Sequence, residues 1–95
     1  MKDFIYIVKC YTYYTEDDEL ETDMWAYNSF DLAVSAIKKD IKELYGDTRE
    51  VSWTIEPPYS SDLSLEDLGS AYLHVNREYY ASEYRLIKLK INRAL

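Results

Sequence analysis

Apolar positions dominate residues 4–14, Phe4-Ile5-Tyr6-Ile7-Val8-Lys9-Cys10-Tyr11-Thr12-Tyr13-Tyr14, with no Gly or Pro among them. An unbroken run of β-branched and aromatic side chains favours a strand, and apolar groups on both faces predict pairing on both sides. Residues 15–19, Thr15-Glu16-Asp17-Asp18-Glu19, are all polar and predict a charged turn. Over residues 20–27, Trp25 and Tyr27 fall on one face of a second strand, Met24 and Ala26 on the other. The two strands predict a hairpin with an acidic tip.

The period then changes from two to about 3.6. Phe30, Val34, Ile37, Ile41 and Leu44 are spaced 4, 3, 4, 3, which draws one apolar stripe along a helix over 29–45. Lys38, Lys39, Lys42 and Glu43 lie off that stripe. Asn28 with Asp31, or Ser29 alone, is placed to cap the free N–H groups of the first turn, and Asp31 complements the helix dipole. Gly46 is the natural stop.

Alternation returns at Val51, Trp53 and Ile55, a third strand that Pro57-Pro58 ends. Residues 56–70 read as a polar loop, with one helical turn at Ser64–Leu68 capped by Ser64 and Asp67 and closed by Gly69. Residues 71–77 give a fourth strand with Leu73 and Val75 inward. Residues 83–91 give a fifth, where Ile87, Leu89 and Ile91 alternate with Leu86, Lys88 and Lys90. The segment 78–82 between them is a turn without glycine. The expected fold is α+β in the order β-β-α-β-β-β. An antiparallel sheet of four to five strands carries the amphipathic helix on one face. The opposite face must meet water, another chain or the 56–70 loop.

Ninety-five residues make a single domain, 1–95, and a chain this short buries about 60–65% of its unfolded surface, which leaves little room for an enclosed substrate cavity. Its 47% apolar content is that of a folded protein. Eleven Tyr stand against two Phe and two Trp. Tyrosine has an apolar body and a polar tip, which suits half-buried sheet faces and interfaces.

The net charge of −7 disfavours direct contact with nucleic acid or an anionic membrane, and favours a protein partner with a basic surface. That charge is unevenly spread. Residues 46–67 carry Asp47, Glu50, Glu56, Asp62, Glu66 and Asp67 against Arg49, whereas 84–95 carry Arg85, Lys88, Lys90 and Arg93 with no acid. At the edge of a sheet, those last lysines would deter edge-to-edge pairing.

Chemistry-bearing groupings are sparse. A Cys10–His74 nucleophile pair requires their strands to be neighbours, and structural roles are the plainer reading of both residues. One Cys and one His cannot build a usual zinc site, and two glycines, Gly46 and Gly69, cannot form a phosphate-cradling loop. The acids Glu16 to Asp23 lack the glycine and spacing of an EF-hand loop. No catalytic residue, metal or cofactor is therefore expected, and the chain reads as a non-enzyme. A lone cysteine excludes an intramolecular disulfide, and Met1-Lys2-Asp3-Phe4 does not open a signal peptide, so a cytoplasmic protein is expected.

Short length, acidity, one helix on a sheet and the absence of a catalytic motif resemble the small acidic inhibitors of host defence that phages encode, anti-CRISPR proteins among them. The resemblance lies in composition and element order only. It implies a decoy that occupies a basic nucleic-acid groove of a partner such as a nuclease. The residues expected to carry such binding are Glu16, Asp17, Asp18, Glu19, Glu21 and Asp23 on the hairpin, with Trp25 and Tyr27 beside them. Glu56, Asp62, Glu66 and Asp67 on the long loop complete the set. Carboxylates there would imitate phosphate spacing, and neighbouring tyrosines would stack. Plain solubility is the competing role for the same acids. The alternative function is a homo-oligomeric structural or adaptor protein, a homodimer using its tyrosine-rich sheet face.

Overall fold

A computed structural model describes residues 4–14, 19–46, 51–59, 64–74 and 80–91. Strands β1 (Phe4–Tyr14) and β2 (Glu19–Tyr27) precede helix α1 (Phe30–Tyr45), and β3 (Val51–Trp53), β4 (Leu65–His74) and β5 (Tyr80–Lys90) follow it. The five strands form one antiparallel sheet in the order β2-β1-β5-β4-β3. The expected α+β architecture and element order are present. β1, apolar on both faces, is paired on both sides as its sequence requires.

The helix forms where the stripe places it. The Ser29 hydroxyl accepts from the Leu32 N–H at 3.1 Å, so Ser29 is the cap. The Gly46 N–H donates to the Lys42 carbonyl at 3.0 Å from a φ of 67°, a conformation that glycine adopts without steric cost. Ala33, Ile37 and Ile41 are the helix residues that reach the buried core, flanked by Phe30 and Val34. Leu44 departs from expectation and is exposed. The small Ala33, absent from the expected stripe, has no accessible surface.

The same buried core takes in Val8 and Cys10 of β1, Ala71 and Leu73 of β4, and Tyr84 and Leu86 of β5. Register explains the set: Val8 faces Leu86, Cys10 faces Tyr84, and Tyr84 faces Ala71. Side chains alternate across a strand, so these residues share one side of the sheet. Deleting buried methyl groups from such a core typically costs about 2–5 kcal/mol per large-to-Ala change.

The expected loop over 56–70 is corrected. β4 begins at Leu65, and Ser64–Leu68 is not a helical turn. The Thr54 N–H donates to the Ser70 carbonyl and the Glu56 N–H to the Leu68 carbonyl, each at 2.9 Å, so pairing continues past β3. An isolated turn fixes several dihedrals for one hydrogen bond, whereas the extended segment pairs along β5 and buries Leu68. Asp67 accepts from the Gly69 N–H at 3.0 Å, which is a bend at a β-bulge and not a helix cap. Strand β4 ends at His74, and the expected inward Val75 lies outside the described residues. β5 starts earlier than expected, at Tyr80, and takes in most of the expected 78–82 turn.

β5 is an interior strand, so its lysines do not guard an edge. Lys88 lies on the helix side, 4% exposed, with its ammonium 4.1 Å from the centre of the Phe4 ring. The side of the sheet away from the helix takes the alternate residues. Ile5 faces Leu89 and Ile7 faces Ile87, with Ala26 and Met24 outward on β2 and Leu65 on β4. Tyr11, Tyr13 and Tyr72 occupy the other end of this face, whereas Tyr6, Tyr27 and Tyr84 point to the helix side. The expected tyrosine-rich face is therefore aliphatic over half its length.

Gly69 has a φ of 119°, and a Cβ there would meet the Thr54 carbonyl. Gly46 has open space around its Cβ direction. Gly69→Ala is expected to lower unfolding free energy by about 3 kcal/mol, and Gly46→Ala by about 1 kcal/mol, in urea denaturation.

Candidate functional site

Strand β2 is one edge of the sheet, and its helix-side face reads Glu21, Asp23, Trp25, Tyr27. Period-two alternation puts all four in line. Trp25 rests against Tyr84 with ring centroids 6.4 Å apart, and Tyr27 packs beside the core. Glu21 and Asp23 are exposed. Four of the residues expected to bind a partner thus share one surface. Glu19 heads the same strand, while Glu16, Asp17 and Asp18 lie outside the described residues.

The helix adds to this surface. Ala36, Lys39, Asp40 and Glu43 line a shallow cleft of 170 Å³ with Trp25 and Tyr27. Sequence reasoning missed Asp40 and Glu43. Their spacing of three marks one side of the helix, but only the helix's position over β2 shows which strand they face. Lys39 and Glu43 form an exposed i,i+4 pair at 3.9 Å, a contact worth only tenths of a kcal/mol. Asp40 accepts the Tyr84 hydroxyl at 2.6 Å, which satisfies the polar tip of a side chain with no exposed surface. The cleft therefore has one carboxylate held by the fold and another at its rim.

The remaining expected residues are placed elsewhere. Edge strand β3 lies at the opposite side of the sheet from β2, and Glu56 follows it, exposed. Asp62 lies outside the described residues. Glu66 is turned inward, 3.6 Å from the Lys88 ammonium and 3.4 Å from the Tyr59 N–H. Lys88 also donates to the Tyr59 carbonyl at 3.4 Å. Glu66 therefore serves the fold rather than an outer surface. Asp67 lies on the helix-free side, 3.5 Å from Arg85. The two acidic segments do not merge into one patch among the described residues.

Cys10 and His74 are not on neighbouring strands, since β5 runs between β1 and β4. Burial, opposed by the Thr12 hydroxyl and reinforced by the charges of Asp40 and Asp23, pushes the Cys10 thiol above its ordinary pKa. A raised pKa keeps the neutral thiol dominant at pH 7, and only the thiolate is a nucleophile. Among the described residues no group of three or more His, Cys, Asp or Glu is arranged to hold a metal ion. None of the described helices is long and apolar enough to cross a membrane.

Comparison with family models, with curated proteins and with solved structures returned no match to this chain.

Two outcomes follow from these placements. Lys88→Met alone should cost about 3 kcal/mol in urea denaturation, because Glu66 keeps its charge in a largely buried place. Adding Glu66→Leu should recover most of that loss, a coupling that a double-mutant cycle reads directly. Native Cys10 should react with a disulfide reagent at least about a thousandfold more slowly than the unfolded chain, since reaction must wait for opening.

Proposed function

We propose that this chain is a protein-binding module whose acidic and aromatic face, made by β2 and α1, docks onto a basic surface of a partner protein. The observation that supports it most is the alignment of Glu21, Asp23, Trp25 and Tyr27 on one side of an edge strand, beside Asp40 and Glu43. Aromatic side chains supply buried area at an interface, and surrounding charges set partner choice and association rate. A net charge of −7 steers such a surface toward cationic grooves, the kind that hold nucleic acid. The partner is then a nucleic-acid-binding enzyme such as a nuclease, and the chain inhibits it by occupying the groove. This is the role the likeness to phage-encoded inhibitors of host defence implies, in the cytoplasm of the host cell.

The edge position of β2 supports the reading in a second way. An edge strand offers unpaired backbone N–H and C=O groups, and protective lysines are absent from Glu19–Tyr27. A basic partner segment can add to that edge by backbone hydrogen bonds while its cations meet the carboxylates.

Competition tests the proposal. The immobilised chain is incubated with a bacterial lysate, and captured proteins are eluted with duplex DNA. Basic nucleic-acid-binding proteins should be released by the DNA. The Glu21→Gln, Asp23→Asn, Glu43→Gln triple variant should lose capture by about 10-fold or more, from three exposed contacts of up to about 1 kcal/mol each. Capture that withstands both DNA and the triple substitution would sink the groove-occupying role.

A further inference from the structure

We propose that the helix-free face of the sheet is the seam of a two-fold homodimer. The inference concerns the side opposite the acidic face, so it stands or falls independently of the function proposed above.

Ile5, Ile7, Ile87 and Leu89 occupy adjacent positions on the two central strands, with Met24 on β2 and Leu65 on β4 flanking them. Met24 is 63% and Leu65 59% exposed. Scattered apolar residues need no explanation, but a contiguous aliphatic patch spanning four strands does.

The described ionisable side chains on this face, apart from tyrosine, are Lys9 and Arg85, against Asp67 and Glu83, two of each sign. Arg85 and Asp67 are 3.5 Å apart. On a chain of net charge −7, the described side chains of this face are electrically balanced. Two copies can therefore meet here without bringing their excess negative charge together, whereas the carboxylates of β2 would repel their own kind. The same balance gives a strongly basic partner little to hold on this side.

Among the described elements α1 packs on the opposite side of the sheet, so this side is left for a second sheet. Sheets stack face to face at about 10 Å with interdigitating aliphatic side chains, the packing this patch offers to a second copy.

Sedimentation velocity of the full chain over a concentration series tests the proposal. The expected species has twice the 11.3 kDa chain mass. Ile87→Lys, at the centre of the patch, should raise the dissociation constant at least about 30-fold. The Met24→Lys, Leu65→Lys double variant changes two exposed side chains, so it separates loss of association from loss of fold. It should also dissociate the dimer while leaving the circular dichroism spectrum unchanged. A wild-type chain that stays monomeric up to about 100 μM would overturn the proposal. So would a dimer indifferent to these variants but broken by Trp25→Asp on the other face. A monomer that floats with phosphatidylcholine vesicles would assign the patch to lipid and would also overturn it.

Discussion

Among the described residues one helix has to cover a five-stranded sheet, and most of the described structure follows from that shortage. Sixteen residues make a helix about 24 Å long and about 10 Å across, while five strands span nearly 20 Å in width. The helix therefore shields one part of one side. There it brings Ala33, Ile37 and Ile41 onto Val8, Cys10, Tyr84 and Leu86. Elsewhere on that side other devices exclude water. Phe4 lies against Lys88, Glu66 neutralises it, and the backbone at Tyr59 holds both. An ion pair is a poor substitute for a second helix, because desolvation offsets most of its attraction. It does allow the chain to close a face with a strand and a loop.

The elements were legible where local pattern and tertiary need agreed. β1 announces itself by apolar groups on both faces, and the helix by its stripe, its Ser29 cap and its Gly46 stop. The segment around residue 66 was not legible, because two codes compete there. Ser64, Asp67 and Gly69 spell a capped helical turn, but the partners that decide the outcome, Lys88 and the Thr54 carbonyl, are distant in sequence. The same distance hid the roles of single residues. Glu66 reads as a surface acid until its register opposite Lys88 is known. The alignment of Glu21, Asp23, Trp25 and Tyr27 was readable from period two alone. Which side of the sheet they face, and that Asp40 and Glu43 join them, depends on where the helix lands.

The two sides of the sheet differ in kind. The helix side ends at β2 in a row of carboxylates and rings, with Asp40 anchored by a buried tyrosine. The other side pairs Arg85 with Asp67 and leaves aliphatic groups outward. Long-range fields therefore act mainly through the first side, and short-range apolar association through the second. Under the two proposals made above, one side would draw a partner from a distance and the other would hold two copies together.

The pairing of β1 with β5 has a consequence in time. These central strands are the first and last of the sheet, and every residue from Phe4 to Tyr14 has its partner on β5. During synthesis β1 can pair with β2 and meet the helix, but its other edge stays open until the last strand emerges. The ladder that centres the sheet forms last and over the longest loop, which slows folding relative to a helical protein of equal size. Through that interval the nascent hairpin carries an open, apolar edge, and the acids that follow it on β2 supply the repulsion that keeps neighbouring chains apart.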